Sequence, residues 1–505
     1  MTERLEGVLH VVTEPVTRAF ANGSVVLIRP EVPDWIRTTE AGAWIFEQLR
    51  AEPRSAPAVV AAVARHYRLP PDLVRASTFR LLRALVEQGY VAVGSTTEGV
   101  GPVAPPRIES LGLRQLWLHV TSRCDLRCRH CYYPVEHPGR DLPLELARRL
   151  FAEAAESGVR QVILSGGEPM LHPAIVELVE ACRRAPRRDS RQDARDVPEW
   201  RIKLLSNGAM PDPDRFDRVV DLLDDLQISI DGVDAPTHDE IRGAGSFARA
   251  ARAFQRLHER AAGVVRGISF TPTPGNLDRI GELPKLAHRL GADYIHLNQA
   301  RPPADPARGE ALLAGGFLAD DFARRAIAAF RRLSVEVIAE RREASGMQAR
   351  ALLVDASYGR TLPLIQTLHQ DNCGAGLTTV ALDPEGLAYP CAALVGRSEC
   401  ALGRFPESNL EAIRRAGAAW NRRVFSVERD AVCSACVYRH FCGGGCRAMA
   451  PTPGERDPSC EVLRGCFEEF FEYVSHPGQD ELSRLAAKGE EGRGRRVRTD
   501  GCAEA

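Results

Sequence analysis

The sequence lacks a charge imbalance, and it lacks any uninterrupted apolar run long enough to cross a bilayer. Its 505 residues carry 66 Lys plus Arg against 67 Asp plus Glu, which gives a formal net charge of −1. A nearly neutral chain has no general attraction to nucleic acid or to an anionic membrane surface. The N-terminal segment "MTERLEGVLHVVTEP" has neither the apolar core nor the cleavage site of a secretory signal. We therefore predict a cytoplasmic protein with no nucleic-acid and no membrane partner.

Cysteine is the residue type that stands out, because there are 14 of them and they are clustered. Three lie at 124–131 and nine lie at 373–466. Reducing compartments keep thiols free, so clustered cysteines in a cytoplasmic chain favour metal ligands over disulfides. Cys182 and Cys502 stand apart, and we interpret them as a small buried hydrophobe and an incidental free thiol.

Residues 1–97 are predicted to form a small α+β domain. The β-branched stretch "GSVVLIRP" indicates a strand at about Ser24–Arg29. The segment "TTEAGAWIFEQLR" begins with a threonine cap and continues as a helix, and two more helices follow, with Gly89 as a C-cap. A small sheet with three helices resembles a winged helix. The Gly, Pro, Ser and Thr content of 98–112 predicts a linker.

From residue 113 the pattern changes to alternating strands and helices, which predicts an α/β fold with a parallel sheet and right-handed crossovers. We expect an open or partial (β/α)6 barrel over 113–315. Polar motifs follow the strands, and in α/β barrels these carboxyl ends carry the chemistry. The six predicted strands are Leu116–Val120, Val162–Leu164, Ile202–Leu205, Leu226–Ile230, Val265–Phe270 and Tyr294–Leu297.

Beyond the barrel the sequence predicts three further regions. A bridging helical region is expected at 316–369, and a cysteine-rich module at 370–475. The charged tail 476–505 and the insertion "RRAPRRDSRQDARDVPE" have the composition of disordered segments.

The stretch "TSRCDLRCRHCYYP" places Cys124, Cys128 and Cys131 directly after the first barrel strand in C-x3-C-x2-C spacing. Soft thiolate ligands suit an iron–sulfur cluster. Three cysteines leave one iron of a four-iron cubane open to another ligand. A zinc knuckle is the alternative, and it would need His130 or His137 as its fourth ligand.

This triplet, together with "GGEP" after the second strand, resembles the radical S-adenosylmethionine (SAM) enzymes. The resemblance implies that SAM chelates the open iron of a [4Fe–4S] cluster. It also implies that one-electron reduction cleaves SAM to a 5′-deoxyadenosyl radical, which abstracts a hydrogen atom from the substrate. An electron donor such as flavodoxin or ferredoxin is expected as a partner.

The same resemblance assigns SAM contacts to other barrel loops. Glycines without a Cβ allow the backbone to approach a ligand closely, and a carboxylate accepts from the SAM ammonium group. Taken singly, each position also fits a tight turn or a surface charge. The candidates are His130 on the adenine side, Gly166, Gly167 and Glu168 at the methionine amino group, Ser206 and Asn207 at the carboxylate or ribose, and Ser229, Asp231 and Arg242 after the fourth strand.

The C-terminal cysteines resemble the SPASM extension of radical SAM enzymes, which holds two auxiliary [4Fe–4S] clusters. Zinc-ribbon binding is the alternative for the C-x2-C pair. The resemblance implies one four-cysteine set and one three-cysteine set, which are Cys433, Cys436, Cys442 and Cys460, and Cys373, Cys391 and Cys446. Either Cys400 or Cys466 closes the three-cysteine set, or that set is open and ligates substrate.

Residues of roughly 10–95 resemble the PqqD-like peptide-recognition domain, which implies a substrate class. Such a domain binds the leader of a ribosomal precursor peptide, with the extended leader adding a strand to a sheet edge. A winged-helix DNA reader is the alternative. Residues 1–100 hold 11 Arg, no Lys and 11 Asp plus Glu, whereas DNA binding needs a basic face.

The sequence therefore predicts a radical SAM maturase that modifies a ribosomally made precursor peptide. We favour an oxidative crosslink (thioether, C–C or ether), because two auxiliary clusters offer an electron sink. An anaerobic sulfatase-maturase-like enzyme is one alternative, but its aspartate after the G-x4-C element is replaced here by Ala392. A haem- or cofactor-tailoring radical enzyme and a non-catalytic zinc-ribbon adaptor are the others.

Overall fold

The computed structural model describes most of the chain. The insertion at 186–200, most of 302–352, the tail from 475 with Cys502, and His137 lie outside the described residues. Within the described residues, no helix combines the length and apolarity that crossing a membrane requires. The described ranges are 5–20, 23–94, 105–135, 139–185, 201–260, 263–301, 324–326, 328–329, 332–333, 353–356, 369–450 and 452–474.

The strands are numbered in chain order. They are β1 (Val8–Val11), β2 (Val16–Ala19), β3 (Ser24–Arg29), β4 (Asp34–Thr39), β5 (Arg54–Ser55), β6 (Val91–Val93), β7 (Gln115–Thr121), β8 (Gln161–Gly166), β9 (Arg201–Ser206), β10 (Asp225–Ser229), β11 (Val265–Phe270), β12 (Tyr294–Leu297), β13 (Leu353–Ala356), β14 (Thr379–Leu382), β15 (Leu387–Tyr389) and β16 (Gly403–Arg404).

Helices alternate with the barrel strands and also build the two flanking modules. The α-helices are Glu40–Ala51, Ala56–Tyr67, Pro71–Glu87, Leu144–Glu156, Ile175–Arg183, Pro213–Val220, Ala235–Arg242, Ser246–Glu259, Leu283–Leu290, Leu410–Val424, Ala431–Ser434, Arg439–Cys442 and Cys460–Val474.

One ten-stranded sheet organises the molecule, in the order β13-β12-β11-β10-β9-β8-β7-β14-β15-β16. The strands from β7 to β13 run parallel, and β14 pairs parallel with β7. All six predicted barrel strands are confirmed as β7 to β12. The expectation of six strands is nevertheless too small, because β13 and β14 extend the parallel sheet at its two edges.

Two predicted boundaries need correction. The strand β13 lies inside 316–369, which was predicted to be helical, although residues 324–326, 328–329 and 332–333 are helical. The strand β14 belongs to the cysteine-rich region but pairs with β7 of the barrel. The barrel and the cysteine-rich module therefore share one sheet. Pairing with β14 also covers a β7 edge that would otherwise present unsatisfied backbone groups.

Side chains alternate along the barrel strands, as the two-residue period of a strand requires. Apolar residues such as Leu204 and Ile228 are buried in the main core, together with the faces of the surrounding helices. The intervening residues, including Lys203 and Gln227, line the interior of the barrel. The core thus lies outside the sheet, and a polar interior is left inside it.

The N-terminal region contains three helices and two three-stranded sheets, β5-β1-β6 and β2-β3-β4. The predicted strand at Ser24–Arg29 is confirmed as β3, and Thr39 caps the next helix by accepting a 3.2 Å hydrogen bond from Gly42 N–H. Gly89 follows the end of the helix Pro71–Glu87 with a φ of +68°. The winged-helix likeness stays a prediction.

The N-terminal domain packs against the cysteine-rich module through β3 and β4. Val26 and Ile28 on one face of β3 join a buried cluster with Phe467 and Phe471 of the C-terminal helix. Trp35 meets Phe471 edge to face, with ring centroids 5.6 Å apart. Because the other face of β3 is buried in the domain's own core, this strand connects the two modules.

Candidate active site

The three cysteines of the first motif lie on a loop that begins where β7 ends. A register shift between His119 and Thr121 marks a bulge just before this loop, and such bulges re-aim the chain at functional sites. Thr121 Oγ1 donates a 2.7 Å hydrogen bond to Asp141 Oδ1 and accepts from Arg123 N–H at 3.2 Å. Arg123 also forms an ion pair with Asp141. The start of the loop is therefore held rigidly.

The glycines of "GGEP" are required by the cysteine loop itself. Gly167 N–H donates to Thr121 O at 2.8 Å. A Cβ on Gly167 would lie 2.0 Å from Arg123 O, and one on Gly166 would lie 2.3 Å from Thr121 O. Since both neighbours are backbone atoms, a side chain at either position would displace the cysteine loop. Both glycines also line the barrel cavity.

Glu168 is buried behind the cavity wall. Its carboxylate accepts hydrogen bonds from Ser206 Oγ at 2.9 Å, Asn207 N–H at 2.7 Å and Met170 N–H at 3.0 Å. Burial raises the pKa of Glu168 to about 7, although these three donors favour its charged form. The structure thus places Glu168 where it shapes the "SNG" turn, while Ser206 and Asn207 line the cavity.

His130, Asp231 and Arg242 form one buried network. His130 Nε2 lies 2.7 Å from Asp231 Oδ2, which also accepts from Arg242 Nε. Thr271 N–H donates to Asp231 Oδ1 at 2.7 Å. Burial alone would raise the pKa of Asp231, but Arg242 and His130 hold it well below its usual range. An ionised Asp231 accepts from His130 Nε2–H, which leaves Nδ1 as the ring nitrogen that can meet a ligand.

This network separates residues that face the cavity from residues that support them. His130, Ser229 and Arg242 line the cavity, whereas the Asp231 side chain is fully buried behind them. Arg242 Nη1 lies 3.9 Å from Cys128 Sγ. His130 Nδ1 is buried and has no hydrogen-bond partner among the residues that the structure describes. A polar ligand in the cavity would supply that partner.

The barrel interior continues below these loops as a cavity of about 320 Å³. Its lower wall includes Lys203, whose Nζ lies 3.6 Å from Asp225 Oδ2, and Tyr294, whose hydroxyl donates to Asp225 Oδ1 at 2.8 Å. Sequence reasoning missed this polar layer. The signal that would have revealed it is the polar residue at every second position of "RIK", "DLQIS" and "YIH".

The predicted four-cysteine set comes together in the structure. Its members line a second cavity of about 630 Å³, which Val16, Arg18 and Pro30 of the N-terminal domain also line. The following glycines, Gly443 to Gly445, all have positive φ of +61° to +80°, a conformation that side chains disfavour. The four cysteines are Cys433, Cys436, Cys442 and Cys460.

The predicted three-cysteine set lies nearer the barrel. Cys391 lines the same cavity as the cysteines of the first motif. Burial, together with the neighbouring thiols of Cys446 and Cys373, raises the pKa of Cys391 to about 12. Cys373 and Cys446 are buried in one apolar cluster that also contains Cys400. Cys466 packs instead into the barrel core.

The chemistry of the donors suits iron–sulfur clusters, whose thiolate ligands bind different irons. Among the described residues, no three His, Cys, Asp or Glu side chains are grouped so that they hold a single metal ion. Burial raises the pKa of Cys124 to about 12 and of Cys128 to about 11, so iron binding must displace their protons.

Comparisons with known proteins agree with this geometry. The model of the radical SAM superfamily matches residues 118–275, and the model of coenzyme PQQ synthesis protein D (PqqD) matches 24–91. PqqA peptide cyclase of Ruegeria pomeroyi is 28% identical over 351 residues, which cover 68% of this chain and 85% of that protein. Mycofactocin maturase MftC of Mycobacterium ulcerans is 28% identical over 353 residues, which cover 68% of this chain and 86% of that protein.

Two solved structures share the fold. Streptococcus suis SuiB bound to the precursor peptide SuiA has a TM-score of 0.51 at 14% identity, covering 89% of this chain and 98% of that one. Native anSMEcpe with bound AdoMet has a TM-score of 0.53 at 16% identity, covering 75% of this chain and 99% of that one. The superfamily match contains the cysteine loop, both glycines and the buried Asp231 network. Residues 118–275 therefore match the radical SAM superfamily, and residues 24–91 match PqqD.

Proposed function

We propose that this radical SAM enzyme modifies a ribosomally synthesised precursor peptide and closes an oxidative crosslink in it. The observation that carries the proposal is the position of Cys391, which lines the cavity of the SAM-type cysteine loop. A site for radical generation and a cysteine set suited to electron transfer thus face the same space. The relatives named as a peptide cyclase and a mycofactocin maturase support a peptide substrate.

Different residues of the barrel would contact the first cluster and different parts of SAM. Cys124, Cys128 and Cys131 would hold the first cluster, and when bound this cluster and SAM supply a 5′-deoxyadenosyl radical. His130 Nδ1 is placed to accept a hydrogen bond from the bound cofactor, since its Nε2 is already used by Asp231. Arg242 brings a positive charge to the cavity wall beside Cys128.

An oxidative crosslink removes two hydrogens from the peptide. One leaves as a hydrogen atom to the 5′-deoxyadenosyl radical, and the other leaves as a proton together with one electron. The two C-terminal cysteine sets would hold the auxiliary clusters that accept this electron. A flavodoxin or ferredoxin would supply the electron that cleaves SAM.

The N-terminal domain is the proposed site for the leader of the peptide. The sheet β2-β3-β4 ends in β2 and β4, and each of these strands pairs only with β3 among the described residues. An extended leader can add to such an edge through main-chain hydrogen bonds. All four residues of β2 are exposed.

A sulfatase-maturase-like reaction is less well supported. In that mechanism the residue after Cys391 would be a carboxylate that removes a proton. Here it is Ala392, which lines the cavity and has no ionisable group. The geometry therefore favours a reaction whose proton acceptor is not at this position.

The proposal is tested by co-expressing the chain with short open reading frames that lie beside its gene and weighing the peptides. The expected result is a peptide lighter by two hydrogens in the presence of the wild-type chain only. Cys124→Ala abolishes the change, whereas Cys182→Ala, a lone cysteine in the barrel core, preserves it. An unchanged mass with deuterium uptake from solvent would indicate epimerisation. An unmodified peptide, with SAM consumed on another substrate, would overturn the peptide function.

A further inference from the structure

Arg301 lies between the barrel cavity and the three-cysteine set. It lies in the segment that follows β12 and lines the cavity together with Tyr132 and Cys391. Its guanidinium carbon lies 5.7 Å from the centroid of the Tyr132 ring, and Cys446 is among the charged or polar groups beside its side chain. Tyr132 directly follows Cys131, so Arg301 stands between the two groups of cysteines.

The positive charge of Arg301 lies beside cysteine and tyrosine side chains. The groups beside the Arg301 guanidinium include Cys446, Tyr132 and Cys391. Among the residues that the structure describes, no Asp or Glu forms an ion pair with it. Its Nε is buried and without a hydrogen-bond partner in the same described set. Arg301 is half-buried, and a partly desolvated cation is stabilised by a nearby negative charge. Among the described residues, the cysteines beside it are the groups in place to supply that charge.

A second network fixes the backbone that carries Arg301. Gln299 Nε2 donates to Asp457 Oδ2 at 3.2 Å and to Ser459 Oγ at 2.7 Å. The same Asp457 Oδ2 accepts from Cys446 N–H at 2.7 Å. Gly445 permits this approach, since a Cβ there would lie 2.5 Å from Asp457 Oδ2. The segment after β12, which carries Arg301, is thereby tied to the backbone of Cys446.

We propose that Arg301 is a positioning residue that sets the reduction potential of the cluster held by Cys373, Cys391 and Cys446. The inference rests on the proposed function in that this set must hold an auxiliary cluster. A positive charge near the ligand sulfurs stabilises the more negative, reduced state of a cluster. Arg301 therefore makes this cluster a better electron acceptor than an uncompensated one at the edge of the substrate cavity.

The test is a potentiometric titration followed by electron paramagnetic resonance. The full chain carries Cys124→Ala, Cys128→Ala and Cys131→Ala, which removes the signal of the first cluster. We expect Arg301→Gln to lower the midpoint potential of one auxiliary cluster by about 59 mV, a tenfold change in a one-electron equilibrium. The other potential stays unchanged. Cys391→Ala identifies the shifted signal by altering or removing it.

The control is Arg414→Gln, which removes an arginine of the same module whose partner is Glu411 on the surface of its helix. It should shift neither potential. Two unchanged potentials in Arg301→Gln at full iron content would overturn the inference, as would an equal shift of both. If Arg301→Gln loses iron, Arg301→Met is measured instead, because it keeps much of the side-chain length but removes the charge and the donors. A lower potential of one auxiliary cluster supports the inference, and no shift overturns it.

The outcomes also separate this inference from the proposed function. A shifted potential in the triple variant, together with a wild-type enzyme that leaves every peptide unmodified, would support the role of Arg301 and overturn the peptide function. A modified peptide with an unshifted potential would do the reverse.

Discussion

At the scale of single residues, the site depends on buried groups that do not face the cavity. Asp231 is fully buried and holds both His130 and Arg242. Glu168 supports the turn at Ser206 and Asn207 in the same way. Sequence motifs identified these residues as candidate SAM contacts, but a motif does not distinguish a group that touches a ligand from one that positions it. That distinction depends on tertiary burial.

Asp231→Asn should lower stability and weaken SAM binding, although asparagine has nearly the same size and shape as aspartate. The substitution leaves Arg242 without its charge partner, and breaking a buried pair costs about 3–5 kcal/mol. We expect a lower midpoint of thermal unfolding and at least tenfold weaker SAM binding, measured by calorimetry on the reconstituted enzyme. Because pairing lowers the pKa of Asp231, its contribution is present above about pH 4 and is lost only below it.

The control for this prediction is Asp278→Asn. Asp278 pairs with Arg325 at 2.7 Å, but its side chain is 63% exposed, and exposed pairs contribute about 0–1 kcal/mol. Equal SAM affinity in both variants and the wild type would contradict the positioning role of Asp231.

At the scale of elements, the sequence predicted the strands whose positions depend on local patterns of apolar and polar residues. The strands β11 and β12 have the predicted bounds, because each contains apolar residues of high strand propensity and is followed by a polar loop. The strands β13 and β14 were not predicted, since each takes its place by pairing with a strand that is distant in the sequence. Strand formation of this kind depends on tertiary context.

Gly167→Ala should disrupt the cysteine loop through a steric clash between the loop after β8 and the loop after β7. The new Cβ would lie 2.0 Å from Arg123 O, and relieving this contact moves the backbone beside Cys124. We expect less iron per chain and more than a tenfold loss of 5′-deoxyadenosine formation, since a displacement of about 1 Å can cost 10²-fold. Both are measured on the purified enzyme with SAM and a reductant.

Gly263→Ala is the matched control, because a Cβ there meets no atom within 4 Å. It should keep full iron content and activity. A fully active Gly167→Ala variant would show that the loop is not held against Gly167 as described.

At the scale of the whole molecule, three modules meet around two groups of cysteines. The barrel cavity reaches Cys391, and the four-cysteine cavity is lined partly by the N-terminal domain. The order of the cysteines predicted the two sets. The packing of the N-terminal domain against the four-cysteine set was not predictable. The strand β3 is apolar on both faces, and this pattern does not indicate what covers its outer face.

Ile28→Ala should loosen this contact between modules. Ile28 is fully buried in the cluster with Phe467 and Phe471, and removing its methyl and ethyl groups costs about 2–5 kcal/mol. We expect faster loss of iron to a chelator, since the cavity of Cys436 and Cys460 lies at this contact.

Ile45→Ala is the control, because Ile45 is buried within the N-terminal domain's own core. It should destabilise that domain with a smaller effect on iron release. Equal rates of iron loss in both variants would contradict a protective role for the contact.

The central claim is that a SAM-derived radical formed in the barrel acts on a precursor peptide. The most direct test incubates the reconstituted enzyme with SAM, a reductant and a precursor peptide deuterated at its carbon-bound positions, and measures deuterium in the 5′-deoxyadenosine product. We expect deuterium in this product and a peptide that has lost two hydrogens. A 5′-deoxyadenosine product free of deuterium in the presence of the peptide would contradict it.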